Sequence, residues 1–211
     1  ETDSKLSPCS KFKTGVYKML HVRKLSLSEI KAIHETHMPE AFPPRELRPY
    51  SSIKTLYEGG NYMGYGLFEG EKLAAYAYFA IADGRPFALL DYFAVLPALR
   101  GNGIGSRFFT LLCAELEAID GLLLEVESVE SAPDESQRAV RRRRIAFYTR
   151  CAMTGVKCLL YSVDYNILAM PVAAAMPPDR TVLAELENVY RTMFDDALYR
   201  RVCRPYRSEG A

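Results

Sequence analysis

"LDYFAVLPALRGNGIGSRFFTLL", residues 90–112, runs from an apolar segment through three glycines in five positions into a second apolar segment. The first part, with 87–95 as its full extent, is apolar on both faces except for Asp91, which predicts a strand buried within a sheet. The last part and the residues that follow it place Phe108, Leu111, Leu112, Leu116 and Ile119 at helical spacing. Between them stands Arg100-Gly101-Asn102-Gly103-Ile104-Gly105. Glycine costs an ordered segment roughly 0.5–1 kcal/mol relative to alanine, so such a run implies a purpose other than stability. A glycine loop leading into a helix N-terminus lets backbone approach a phosphate, and the unpaired N–H groups and dipole favour an anion. Arg100 adds a guanidinium suited to phosphate oxygens. A tight turn that binds nothing is the alternative.

The loop departs from two familiar phosphate signatures. G-x-G-x-x-G fails because the third glycine follows the second by two residues, and no Gly-Lys-Ser/Thr is present. What remains is Arg100-x-x-Gly103-x-Gly105, which resembles the Q/R-x-x-G-x-G/A motif of the GCN5-related N-acetyltransferases, the GNAT family. "LLLEVE" at 122–127 followed by "RRIAFYTRCAM" resembles that family's next strand and helix, and the upstream helices and hairpin fit its element order. The resemblance covers 16–172 in outline and 87–153 in motif. Arg141 and Arg144 stand where members often carry Asn and a small residue, and Ala152-Met153 stands where Gly-Phe is common.

The remaining chain alternates between short elements. A strand is expected at 16–25, and Ser26 with Glu29 forms a capping box opening a helix with Leu27, Ile30 and Ile33. Pro39, Pro43 and Pro44 end it. A second helix brings round Leu47, Tyr50, Ile53 and Leu56 until Gly59-Gly60. Strands near 62–68 and 73–82 are joined by the hairpin turn "EGEK". A helix is expected from about Ser131 to Arg150, then strands near 156–162 and 166–172 and an amphipathic helix at 180–200. The strand–helix–strand unit at 87–127 predicts a parallel crossover. The pattern gives an α/β (α+β) class. The resemblance implies the GNAT fold: a mixed, mostly antiparallel sheet with one splayed parallel pair and helices on both faces. A single domain over 1–211 is expected, with 1–15 flexible and 179–211 a C-terminal helical extension.

Composition narrows the function classes. Of 211 residues 27 are Lys or Arg and 26 Asp or Glu, so no basic excess points to nucleic acid. Five cysteines, among them Cys9, Cys158 and Cys203, show no paired spacing, which argues against a disulfide framework or a zinc site. No apolar stretch approaches the ~20 residues of a membrane span and 1–15 hold no signal-peptide core, so a soluble, cytoplasmic protein is expected. His34 and His37 lie three apart without a third ligand, so no metal is expected. The arginines of 138–150 suggest a solvated helix face with pairs such as Asp134 with Arg138, or one of Arg141 and Arg144 reaching a coenzyme phosphate. The C-terminal stripe of Val182, Leu186, Val189, Tyr190 and Met193 suits packing on the domain or on a second subunit.

The resemblance also implies chemistry. Acetyl-coenzyme A would be the co-substrate, its pyrophosphate held by Arg100 and by the N–H groups of Gly101, Asn102, Gly103, Ile104, Gly105 and Ser106. Its pantetheine arm would lie along the backbone of Phe93, Ala94 and Val95. Glu125 would be the base that deprotonates an amine, with Glu127, Asp91 or a water relay as alternatives. Tyr148 would protonate the departing thiolate, unless it is a core aromatic. Asp91 and Glu127 would make the cleft acidic and help bind the acceptor, a small amine or a peptide N-terminus. The function implied is acetyl transfer to a primary amine by direct attack in a ternary complex. A coenzyme-sensing domain without turnover, or transfer of another acyl group, is the alternative.

Overall fold

The computed structural model describes residues 20–202 apart from 85–86, 117, 161–162, 172–174 and 176–177. The expected flexible segment 1–15, the start of the strand expected at 16–25, and residues 203–211 lie outside the described residues. After β1 (Leu20–Lys24), the Ser26 side chain accepts from the Glu29 N–H and the Glu29 carboxylate accepts from the Ser26 N–H, so the capping box opens α1 (Leu27–Thr36). This helix ends at Thr36, and Pro39 belongs to a separate short turn, α2 (Met38–Ala41). Leu47, expected on the second helix, precedes it: Pro49 is the N-cap of α3 (Tyr50–Glu58). Proline lacks the N–H and clashes with a preceding turn, so the helix starts after it.

The hairpin of β2 (Tyr62–Glu69) and β3 (Lys72–Ile81) turns at Gly70-Glu71, with Gly70 at φ +59°. β4 (Phe87–Val95), α4 (Ile104–Glu115) and β5 (Gly121–Glu127) form the expected crossover, with β4 and β5 parallel. α5 (Glu135–Arg150) begins four residues later than expected, because Asp134 accepts from the Gln137 N–H at 2.7 Å and makes the cap. That use of Asp134 also replaces the expected pairing with Arg138, which instead meets Glu135 at 3.4 Å. β6 (Thr154–Leu160) and β7 (Val163–Pro171) follow. The helix expected at 180–200 is two, α6 (Asp179–Met193) and α7 (Asp196–Val202). Phe194 is extended between them, and the Asp195 carboxylate caps the second through the Leu198 N–H at 2.8 Å.

All seven strands form one sheet, β1-β2-β3-β4-β5-β7-β6, antiparallel at every step except β4–β5. Alternation along the strands feeds two cores. On one face Ile30, Ile53, Leu186 and Val189 pack on Tyr78, Leu89 and Leu123; on the other Phe108, Leu112 and Tyr148 pack on Phe79, Leu122 and Leu124. The sheet is thus the expected mixed one with helices on both sides. The C-terminal stripe is buried against this sheet, with Val182, Leu186, Val189 and Tyr190 each at most 2% exposed. Among the described residues no helix is long and apolar enough to cross a membrane.

Candidate active site

β4 and β5 begin as neighbours and then part. Their ladder holds three pairs, Phe87 with Gly121, Ala88 with Leu122 and Leu89 with Leu123, yet both strands run on, to Val95 and Glu127. On its other side β4 stays paired with β3, but the register passes from Tyr78–Tyr92 to Phe79–Leu90 and leaves Asp91 as the extra residue of a bulge. A bulge bends its strand and increases the local twist. Backbone edges of 90–95 and 124–127 therefore face a gap in the middle of the sheet.

The glycine loop lies at the end of that gap. Gly101 and Gly103 have φ of +83° and +74°, where an L-residue with a Cβ is disfavoured by roughly 1–2 kcal/mol. Gly103 is the N-cap of α4 and brings no side chain to cap it. The first-turn N–H groups of Ile104, Gly105 and Ser106 have no intrahelical acceptor and point out of the helix end. Gly105, in that turn, would place a Cβ 3.4 Å from the Phe147 ring, ordinary contact, so what this position offers is a helix end lying close against the aromatic wall. Arg100 is tied to the strand end by its Nε–H, which donates to the Val95 carbonyl at 3.0 Å.

Two cavities meet at this point. One of about 460 Å³ is lined by Gly101, Gly103, Ile104, Gly105 and Ser106, with Arg150 at its edge. The other, of about 1260 Å³, lies towards α2, α3 and α6 and takes in Asp91, Ala94, Glu125 and Glu127. Phe93, Val95, Arg100, Arg144 and Tyr148 line both. The candidates from the sequence thus gather around one gap. Asn102 lines neither cavity.

Glu125 shares a face with Leu123, and so points towards α6, while Tyr148 belongs to the core on the α4–α5 face. The two groups approach the gap from opposite sides of the sheet. Glu125 Oε1 is buried with no hydrogen-bond partner among the described residues. Burial pushes its carboxyl up to about 7; the nearby Tyr190 hydroxyl opposes the rise and the Asp91 charge adds to it. Tyr148, 6% exposed, stands among Phe93, Phe109 and Phe147 with ring centroids 4.9–6.4 Å away. Burial raises its phenol well above the usual value, against the lowering effect of Arg144.

The other two carboxylates are held by cations. Glu127 meets Arg141 Nη2 at 2.9 Å and Arg144 Nη1 at 3.6 Å. Asp91 Oδ2 accepts from the Tyr62 hydroxyl at 2.5 Å and lies 3.5 Å from Arg48 Nε. The cleft is therefore less acidic than the sequence alone implies. Arg141 is 7% exposed and also donates to the Ser128 carbonyl at 2.7 Å and the Ser131 hydroxyl at 3.0 Å. It fastens the β5–α5 connection and does not reach out to a phosphate; Arg144, which lines both cavities, keeps that option. Sequence reasoning did not single out Arg48, which lies in the proline-rich stretch before α3, and placed Tyr190 only on the packing stripe of the last helices, with no role at the site. Among the described residues no group of three or more His, Cys, Asp or Glu could hold a metal ion.

Comparison with known proteins agrees with this geometry. The model of the acetyltransferase (GNAT) family matches residues 28–153. No curated protein matches the chain in sequence. Among solved structures, a protein assigned to the GNAT family from Bacteroides thetaiotaomicron superposes with a TM-score of 0.65 at 21% identity, over 81% of this chain and 96% of its own. The ribosomal-protein-S18-alanine N-acetyltransferase of Escherichia coli gives 0.56 at 21% identity, over 75% and 97%. The spermidine N-acetyltransferase of Vibrio cholerae, in complex with CoA and spermine, gives 0.53 at 11% identity, over 72% and 95%.

Proposed function

Since this chain belongs to the acetyltransferase (GNAT) family, we propose that it moves acetyl from acetyl-coenzyme A directly to a primary amine, both substrates being bound together on a single domain. The observation that carries this reading is the pair of cavities that share Phe93, Val95, Arg100, Arg144 and Tyr148 at the β4–β5 gap. One cavity offers a helix N-terminus and a cation, as an anionic diphosphate requires; the other offers a carboxyl tuned near neutrality.

The residues present fit the coenzyme. Arg100 and the N–H groups from Gly101 to Ser106 would hold its diphosphate. The strand edge at Phe93, Ala94 and Val95 has no ladder partner towards β5, so the backbone groups there that face away from β3, the Val95 carbonyl bonded to Arg100 apart, are left for a pantetheine arm to pair with as an added strand. When bound, acetyl-coenzyme A supplies an acyl carbon activated by a thiol leaving group. A backbone N–H at this edge would polarise the acyl oxygen.

The chain's own residues then manage two protons. A primary amine arrives protonated, with a pKa near ~10. Glu125, at about 7, is largely a carboxylate just above neutral pH and still basic enough to accept that proton at Oε1 or Oε2. An ordinary glutamate near ~4.3 would be a much weaker base. Tyr148 keeps its proton, because burial raises its phenol. A usual thiol pKa of ~8.5 makes complete transfer from so weak an acid uphill. Tyr148 therefore acts as a hydrogen-bond donor to the sulfur as charge builds there, with solvent completing the protonation.

The similar structures from Escherichia coli and Vibrio cholerae are a ribosomal-protein-S18-alanine and a spermidine N-acetyltransferase, and amines of both kinds belong in the acceptor screen. The test follows thiol release from acetyl-coenzyme A with the native protein and with Glu125→Gln. Amine-dependent release that falls roughly 10²-fold or more in the variant supports the reading. Coenzyme binding with no turnover on any amine would favour a sensor.

A further inference from the structure

Arg48 occupies the wall of the larger cavity where three parts of the fold meet. Its backbone is fixed from both sides: the N–H donates to the Tyr92 hydroxyl at 2.8 Å, and the carbonyl lies 2.9 Å from His34 Nε2. Its side chain is only 12% exposed. Nε points to Asp91 Oδ2 and Nη1 to the Met193 carbonyl, each at 3.5 Å, and the guanidinium lies 5.2 Å from the centre of the Phe194 ring. Nη2 has no hydrogen-bond partner among the described residues. The one carboxylate contact is long and single, whereas a guanidinium binds a carboxylate best through two parallel N–H groups.

The charges around it lean the same way. Asp91 is shared between Arg48 and the Tyr62 hydroxyl, and Glu127 between Arg141 and Arg144. Arg100, on the same cavity, has its Nε–H on a carbonyl and not on a carboxylate. Arg45, on the rim, is 80% exposed, with Glu46 at 3.8 Å. A polycation entering this cavity would compete with arginines for Asp91 and Glu127, while Asp134 and Asp195 on the same wall are engaged as helix caps and Glu46 lies beside Arg45. An acceptor with an acid group would meet a held guanidinium with an unused edge. That edge is open to solvent, and a carboxylate would replace its water with charge-assisted hydrogen bonds.

We propose that Arg48 reads a carboxylate on the acceptor, so that the substrate is a primary amine carrying an acid group. The idea rests on the transferase reading above and narrows it. A free amino acid and a peptide N-terminus with an acidic side chain share this chemistry.

The experiment compares matched pairs by thiol release. One arm sets the common L-amino acids against their decarboxylated amines. The other sets peptide amides beginning Asp-Ala-Ala against Asn-Ala-Ala, and spermidine serves as the cationic reference. Each is run with the native protein, Arg48→Gln and Arg48→Lys, with thermal melts and the dissociation constant for acetyl-coenzyme A as checks on folding. The expected result is a preference for the carboxylate-bearing partner of roughly ten- to a hundredfold, in whichever arm holds the true source. That preference should collapse in Arg48→Gln and survive in part in Arg48→Lys, with coenzyme affinity unchanged. If Arg48→Gln fails to fold, the Lys variant decides alone: an unchanged preference there overturns the proposal, and a reduced one supports it. Equal turnover of both partners, better turnover of spermidine, or no turnover of any acid-bearing amine by a protein that binds acetyl-coenzyme A overturns it and spares the coenzyme site. Failure to bind acetyl-coenzyme A removes the transferase reading itself.

Discussion

Replacing Glu125 by glutamine should make the protein more stable above neutral pH while it removes activity. The carboxyl stands at about 7 in the folded chain, against an ordinary value of 4.5. At 1.36 kcal/mol for each tenfold change in proton affinity, that difference corresponds to about 3 kcal/mol. Below pH 4.5 the group is protonated in both the folded and unfolded chain and contributes no pH dependence. Between 4.5 and 7 the folded chain binds more protons than the unfolded one, so stability falls as pH rises through this window. Above 7 the whole cost is present. The amide of glutamine is neutral at every pH and has nearly the same shape. Glu125→Gln should therefore match the native protein near pH 4 and exceed it by up to about 3 kcal/mol at pH 8. For a chain of this size that is a rise of about 6–12 °C in melting temperature. The assay is thermal or urea unfolding of both proteins at several pH values from 4 to 8.5. Parallel curves, with the same difference at each pH, would refute the argument that burial of Glu125 costs stability.

Tyr148→Phe removes the hydroxyl and leaves the aromatic packing. It should lower kcat by about tenfold or more and leave the dissociation constant for acetyl-coenzyme A within about twofold, as calorimetry beside steady-state kinetics would show; an unchanged kcat removes Tyr148 from the chemistry. Arg141→Met takes the buried cation from Glu127 and the Ser128 carbonyl, with only the more exposed Arg144 left as partner. A loss of about 3 kcal/mol in urea unfolding is expected, and a stability equal to the native protein's would show that the pair does not hold the β5–α5 connection. The acid limb of kcat/KM should bend near pH 7, because Glu125 must give up its own proton before it can accept the amine's; a limb bending near pH 4.5 would assign the base to a carboxyl of ordinary pKa.

Local chemistry carried most of the fold into the sequence. Ser26 and Glu29 announce a helix start because both hydrogen bonds of the box close within one turn. The apolar run at 87–95 and the glycines after it require a buried strand, a close backbone approach and a helix end, all within 25 residues. The departures are also local but competitive. Asp134 outcompetes Ser131 as a cap, and Asp195 interrupts an amphipathic stripe that reads as one helix, because the hydrophobic period continues across the break. The glycine loop was legible in its own spacing, and Glu125 and Tyr148 were singled out through the family resemblance of the strand and helix that carry them. What surrounds them was not. The pairing of Asp91 with Arg48 spans 43 positions, and the α6 helix that brings Tyr190 to Glu125 is separated from β5 by two strands and a helix. No spacing rule connects such positions, so the charge balance of the cleft could be read only after folding.

The account stands on the glycine loop and the β4–β5 gap forming a coenzyme site, and calorimetric titration with acetyl-coenzyme A tests it most directly. The native protein should bind with micromolar or tighter affinity. Gly103→Trp, which puts a side chain where φ is +74° and the space is open, should lose that binding while keeping a cooperative melt. No heat of binding with the native protein, or equal binding by the folded variant, would contradict the central claim.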